Sequence, residues 1–393
     1  MYIMIMVVSF CLALLILHAC SYHRGIYNDK GVKSISGLRA FLASIVAFSH
    51  FVHYIYGLDQ PWIYDKNYFA WFSEGNFFVN SGKFGVLLFF MISAFLFYRW
   101  LDNDTLTPAQ LSGKLWRSRV RRIVPMFWFS GFVIFTIGAL QGALVPPLQA
   151  AKDAVLWLLF IGSYNVGEMS TAVVNSGVEW TLRLEWLLYL SIPVIYFLNR
   201  LTRGKYKTLL ILSSIGVIFI IAVALRLYGK TYTDPRPVLG FAMGYFAYKF
   251  RDRFVGLRHS RSAAILSLGL AVFSLFFTSN TFFYVIFLIS LTVIFFIVSS
   301  GNSLMGLLEN KTLMSIGEVS YSLYLIHGVV LYGIEQIPPT LYPHNYWMFT
   351  LLSTLFFVAA FYVAKMTYLW VEKPFIGSSG GKSKAATKAA AEN

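Results

Sequence analysis

Apolar runs of about 20 residues, the length a helix needs to cross a bilayer, recur along the chain with short polar segments between them. They fall at 2–20, 37–57, 83–101, 123–144, 181–199, 208–227, 236–250, 263–278, 281–299, 316–335 and 347–370. A weaker apolar piece, Ala154–Ile161 within 152–163, is too short for a span. The pattern predicts an all-α polytopic membrane protein, and no internal repeat of fixed period interrupts it.

Charge in the loops orients these spans. Arg24, Lys30 and Lys33 precede the second run. Lys114, Arg117, Arg119, Arg121 and Arg122 precede the fourth. Further groups are Arg200, Arg203, Lys205 and Lys207, then Lys249, Arg251, Arg253, Arg258 and Arg261, then Lys373, Lys382, Lys384 and Lys388. Segment 58–82 instead carries Asp59, Asp65 and Glu74 against Lys66, and 164–179 carries Glu168 and Glu179 without a base. Excess Lys and Arg mark cytoplasmic loops. All five basic groups share one side only if 152–163 does not cross. The expectation is therefore eleven spans, with the N-terminus outside, the C-terminus cytoplasmic, and 152–163 re-entrant or at the interface.

The first run has no basic residue before it, and His23 and Arg24 follow it. A cleaved signal peptide has the opposite order, so this run reads as an uncleaved anchor. Cys20 follows Leu-His-Ala, a faint likeness to a lipoprotein processing site that the missing basic region argues against. The expected organisation is an anchor and basic linker over 1–34, a membrane domain over 35–376, and a disordered basic tail over 377–393.

Composition agrees with this picture. Hydrophobic residues are 58% and charged residues 12%, with a mean hydropathy of +0.65, whereas soluble domains are near 25% charged. The net charge of +15 suits a basic cytoplasmic face near anionic lipid. The same face can also hold a polyanionic cosubstrate. The two cysteines, Cys11 and Cys20, form neither a disulfide framework nor a metal motif, and no metal is expected.

Four constellations carry candidate chemistry. Arg39 and His50 are eleven positions apart, three helical turns plus about 20°, so they share one face roughly 16 Å apart along the axis. Ionisable groups inside a span usually face a protein interior or wet cavity, and an imidazole suits general-base work. Arg39 also reads as a snorkelling arginine, His50 as a packing residue, and His53 as the alternative imidazole. In the second, Arg119 and Arg122 stand at i and i+3 ahead of Pro125. They can share a face and grip phosphate bidentately; an ordinary stop-transfer cluster looks the same. The third is Trp180-Thr-Leu-Arg-Leu-Glu185-Trp-Leu-Leu-Tyr189, where Glu185, Tyr189 and Pro193 share a face and Arg183 offers an interfacial partner. The fourth places Ser320, Tyr324 and His327 on one stripe, lining a polar cavity or joining helix to helix. No HExxH, P-loop or GxSxG is present, and nothing suggests nucleic-acid binding.

Together these stretches resemble the integral-membrane acyltransferase 3 family, over about residues 35–375. The opening Gly37-Leu38-Arg39-Ala40 with His50 matches its G-L-R-A and histidine. Gly85 to Phe95 follows its G-V-x-L-F-F-x-I-S-G-F segment, and Arg119, Arg122 and Pro125 its R-x-x-R ahead of proline. Trp180 to Glu185 follows W-S-L-x-x-E, Ser320 to His327 follows S-Y-S-L-Y-L-x-H, and Glu372 to Phe375 the closing E-x-P-F. Leu87 stands where many relatives have an acidic residue, Ala94 where they have glycine, and Thr181 where they have serine. The family core has ten spans, which makes residues 2–20 an added anchor, and the chain resembles the single-domain members that lack a soluble esterase-like domain.

The resemblance implies a multi-pass enzyme of the plasma membrane, the inner membrane in a bacterium. Such an enzyme moves an acetyl group from cytoplasmic acetyl-CoA to a sugar hydroxyl of a surface polysaccharide, such as lipopolysaccharide or exopolysaccharide, or of a lipid-linked glycan. It assigns Arg39, Arg119 and Arg122 to the CoA phosphates. His50 becomes the general base or a transient acetyl carrier. Glu185 orients that imidazole or binds the sugar, while Ser320, Tyr324, His327 and Trp180 face the acceptor. A proton-coupled transporter or flippase is the rival expectation, because intramembrane His, Arg and Glu also suit a proton relay. The missing inverted repeat speaks against it.

Overall fold

The computed structural model describes residues 2–26, 32–55, 75–161, 165–228, 233–276, 281–335 and 346–377. Lys30, the segment with Asp59, Asp65, Lys66 and Glu74, the tail beyond residue 377, and the side chain of His53 lie outside the described residues.

Apart from turns and short connections the described chain is helical, with one hairpin of two-residue strands, Asn165–Val166 paired antiparallel with Met169–Ser170. In chain order the helices are α1 (Tyr2–Ala19), α2 (Lys33–Ile55), α3 (Gly75–Tyr98), α4 (Pro108–Leu140), α5 (Pro147–Leu158), α6 (Thr171–Asn175), α7 (Trp180–Leu201) and α8 (Lys207–Tyr228). There follow α9 (Leu239–Lys249), α10 (Arg261–Phe276), α11 (Thr281–Ser299), α12 (Lys311–Glu318), α13 (Ser320–Glu335), α14 (Tyr346–Thr367) and α15 (Lys373–Gly377).

Among the described residues six helices are long and apolar enough to cross a membrane: α2, α3, α4, α7, α8 and α14 with the turns that continue it. Two bent pairs raise the number to eight. They are Arg251–Leu257 with α10, bent by 102°, and α12 with α13, bent by 79°. Each of the eleven expected spans coincides with a helix, yet eleven is reached only by adding α1, α9 and α11. The eleven residues of α9 rise about 16 Å, roughly half of a hydrocarbon core.

Helix α3 starts at Gly75, ahead of the expected 83, and two further differences bear on the site. Helix α4 starts at Pro108 rather than near residue 123, because Thr107 and Gln110 form a reciprocal capping box ahead of a proline in the first turn. Its 33 residues rise about 50 Å, beyond the ~30 Å of a bilayer core. Arg119 and Arg122 thus sit within a continuous helix rather than at the junction of a loop and a span. In the expected span 316–335 the helix breaks at Val319, so Ser320 opens a new helix.

Helix α5 covers most of the 152–163 stretch. Its 12 residues rise about 18 Å, too short to cross. Leu148 and Val155, with Leu159 and Ile161 just beyond, are exposed, whereas Ala150 and Trp157 are buried. One apolar side faces outward and the other packs on the bundle. The Trp157 ring stacks on Phe127 at 4.4 Å and its Nε1 donates to Glu179.

The bundle is built around α2, which is 83% buried over its apolar window and packs against α3, α12 and α13. Helix α8, 22% buried, lies at the periphery with Leu209, Val217 and Ile220 outward. The glycine opening the Gly-Leu-Arg-Ala stretch has a steric reason. A Cβ at Gly37 would lie 2.0 Å from the Leu308 carbonyl oxygen, so only glycine lets this backbone approach. Helix α1 and the turn after it dock on α14 through Ser9–Ser353, Tyr22 to the Phe361 carbonyl, and Lys365 to the Tyr22 carbonyl.

Candidate active site

A cavity of about 300 Å³ opens between α2, α3, α4, α7 and α13. Its volume is at the lower end of small-molecule sites. Arg39 enters from α2, Arg119 and Arg122 from α4, and Arg99 from the 3₁₀ turn after α3. Against these four arginines the cavity wall sets one carboxylate, Glu185. Ser93, Thr181, Tyr189, Ser320, Tyr321 and Tyr324 supply hydroxyls. Arg99 and Ser118 are exposed, which places the mouth at the end where the arginines gather.

Both Glu185 oxygens are occupied. Ser93 donates to Oε1 at 2.9 Å and Tyr189 to Oε2 at 2.6 Å. The carboxylate thus ties α3 to α7 and also faces the charges of Arg119 and Arg39. The Arg119 guanidinium stacks over the Phe97 ring at 4.6 Å, an arrangement that favours arginine over lysine. Its buried Nε has no acceptor, and the buried Ser320 Oγ has no partner. Donors of this kind at a cavity wall are available to an anionic or carbonyl-bearing ligand.

Arg122 also has a partner outside the cavity lining. Its Nε lies 4.0 Å from Oε1 of Glu372, a carboxylate with no exposed surface that also accepts from Ser322 at 2.8 Å. Tyr321 donates to the Ile123 carbonyl at 2.8 Å and fastens α13 to α4 beside Arg122.

The imidazoles form a separate group. The rings of His50 and His327 stand 5.4 Å apart, centroid to centroid, and the ring of Tyr324, which lines the cavity, stands 6.1 Å from His327. Tyr324 bonds Thr181 at 3.0 Å. The cavity's hydroxyl end therefore abuts the histidines, one helical turn further along α13.

Of the residues singled out in the sequence, Arg39, Arg119, Arg122, Glu185, Ser320 and Tyr324 meet in one cavity. His50 and His327 lie together beyond it. Trp180 lines neither group and packs with the residues around α3 and α7. The sequence reading gave no role to Ser93, Arg99 or Glu372. Ser93 and Glu372 belong to stretches recognised as motifs, and a carboxylate at the end of a long apolar run was the available signal for Glu372. Arg99 has no signal beyond a basic residue at a span end.

A family model described as an acyltransferase domain matches residues 32–368. The chain is similar to the O-acetyltransferase OatA of Staphylococcus aureus (strain NCTC 8325 / PS 47), 25% identical over 386 residues that cover 88% of this chain and 58% of that protein. It therefore spans less than two thirds of that relative's length. It is also similar to the exopolysaccharide production protein ExoZ of Rhizobium meliloti (strain 1021), 29% identical over 312 residues that cover 75% of this chain and 90% of ExoZ. No solved structure matches the chain.

Proposed function

The chain belongs to the acyltransferase family whose model matches it, and from that premise we propose that it is an acetyl-CoA-dependent O-acetyltransferase of the plasma membrane that modifies a polysaccharide or lipid-linked glycan. The observation that carries the proposal is the arginine-lined cavity, with four guanidinium groups against one carboxylate. CoA is a polyanion, and arginine forks are suited to its phosphates. Arg99, Arg119 and Arg122 hold the nucleotide end at the mouth, Arg39 lies deeper, and the pantetheine arm points toward Tyr324 and the histidines. The acceptor approaches from the His50 side. The names of the two relatives, an O-acetyltransferase and an exopolysaccharide production protein, support an acetyl group and a glycan acceptor. The basic groups on one side of the spans support a cytoplasmic mouth.

In the transfer step His50 takes the proton of the sugar hydroxyl as its oxygen attacks the thioester carbonyl. The attack forms the ester C–O bond, and collapse of the tetrahedral intermediate restores the carbonyl and breaks the C–S bond. The imidazolium returns the proton to the departing thiolate. Glu185 holds Ser93 and Tyr189 in place beside the donor.

The test is binding of acetyl-CoA and CoA to the purified protein in nanodiscs. Binding in the micromolar range, lost in the Arg119→Ala/Arg122→Ala protein and kept in His50→Ala, is the expected result. Folded protein that binds neither compound refutes the proposal, and CoA-independent flux of solute into proteoliposomes puts a carrier in its place.

A further inference from the structure

His327 lies at the centre of the bundle with no exposed surface. Its Nδ1 is 3.1 Å from the Leu323 carbonyl oxygen. A carbonyl only accepts, so Nδ1 carries the hydrogen and, in the neutral ring, Nε2 is left as an acceptor. That Nε2 is buried and has no hydrogen-bond partner. An unsatisfied buried acceptor is destabilising and calls for a reason.

The neighbouring backbone keeps the ring there. Gly328 on α13 faces α6, and a Cβ at this position would lie 2.3 Å from the Asn175 carbonyl carbon. Next to His327 the backbones of α13 and α6 are therefore in contact, while His50 across from it stays partly accessible. Two imidazoles joined by one N–H···N bond of about 3 Å have centroids roughly 5 Å apart. The observed 5.4 Å is a few tenths longer. Catalytic hydrogen bonds in ligand-free sites are often long and tighten when substrate binds.

We propose that His327 is the positioning residue for His50: its Nε2 accepts a hydrogen bond from one ring nitrogen of His50, so that the other nitrogen faces the acceptor hydroxyl as the base. The proposal rests on the acyltransferase reading, with His50 as general base. When His50 takes the hydroxyl proton, both of its nitrogens carry hydrogen. The one toward His327 stays bonded to a neutral acceptor, and the one toward the substrate delivers its proton to the CoA thiolate. His327 undergoes no net change. It does for His50 what a carboxylate does in a serine hydrolase triad, fixing tautomer and orientation, without placing a second charge inside the membrane.

The experiment compares wild type with His327→Leu, which keeps the volume and removes the acceptor, and His327→Gln, whose side-chain oxygen can still accept. If His327→Leu inserts poorly, His327→Met replaces it. Membranes of the expressing cells, with their endogenous glycans, are supplied with radiolabelled acetyl-CoA, and incorporation is normalised to the amount of protein. The purified proteins are titrated with CoA in parallel. The expected result is a fall in maximal rate of 10²-fold or more in the apolar variant. The KM for acetyl-CoA and the Kd for CoA stay within about 2-fold of wild type, and the Gln variant lies within about 10-fold of wild type in rate. A wild-type rate in the apolar variant overturns the assignment. So does a rate loss matched by an equal rise in KM, or a Gln variant as slow as the apolar one, because a packing role gives those results. Wild-type protein that neither binds CoA nor incorporates label marks the failure of the acyltransferase reading instead.

Discussion

Arg122 faces two ways, toward the cavity and toward the buried carboxylate of Glu372, so its removal has two separable effects. Unit charges 4.0 Å apart attract by about 4 kcal/mol at an effective dielectric constant of 20. Deleting one partner of a buried pair typically destabilises by about 3–5 kcal/mol, because the other charge is left uncompensated. Here Arg122 keeps 30% of its side chain exposed, and Glu372 retains the Ser322 hydroxyl and the nearby charge of Arg39. Both considerations place the loss at the lower end, about 3 kcal/mol. The other effect is on the donor. A charge-assisted bond to phosphate is worth about 1.5–3 kcal/mol, or roughly 10–150-fold in Kd. The assay pairs equilibrium unfolding in detergent with CoA titration for Arg122→Ala, Glu372→Gln and the double variant. Arg122→Ala is expected to lose both stability and affinity. Adding Glu372→Gln neutralises the stranded carboxylate and restores most of the stability, while CoA binding remains weak. If the double variant recovers both, Arg122 serves Glu372 alone and its role in gripping the donor is wrong.

Other expectations follow from the same contacts. Glu185→Gln removes the one carboxylate of a cavity lined by four arginines, so CoA binds at least as tightly as to wild type while acetyl incorporation drops by about 10²-fold; titration and label incorporation read the two, and weaker binding contradicts the charge argument. Gly328→Ala forces a methyl group against the Asn175 backbone and destabilises by about 1–3 kcal/mol; an unfolding midpoint equal to that of wild type shows that α6 yields freely. Cysteines placed at Lys205 and Lys373, in the Cys11→Ser/Cys20→Ser background, react with a membrane-impermeant maleimide only from the cytoplasmic side; labelling of either from outside overturns the orientation drawn from the basic groups.

Much of the fold was legible because bilayer thickness leaves few options for an apolar run of 20 residues. Helices stand where the runs predicted them, and charge counting kept the 152–163 stretch from being read as a span. What hydropathy does not register is where a helix starts and breaks. The N-terminal half of α4 is polar, so the apolar run begins only near residue 123, while the Thr107–Gln110 capping box, a local signal, starts the helix at Pro108. The 79° break between α12 and α13 falls at Val319, directly after Gly317 and Glu318, inside a stretch whose hydropathy reads as one continuous run.

The site was legible residue by residue but not as a geometry. Helical periodicity grouped Glu185 with Tyr189, which are hydrogen-bonded, and Ser320 with Tyr324, which line one cavity, because those relations lie within one helix. Relations between helices have no period to read. Arg39 and His50 share a face of α2 and still end in different groups, one in the arginine cavity and one beside His327, because about 16 Å of helix separates them. Under the proposed function, that separation lets one helix serve a polyanion at one end and a proton-transferring imidazole at the other. Glu372 shows the opposite case. It lies 250 positions from Arg122 in the chain, and only the packing of α4 against the turn after α14 makes the two a pair. A carboxylate at the end of an apolar run announces that some cation must meet it, without saying which of the chain's 32 basic residues does so.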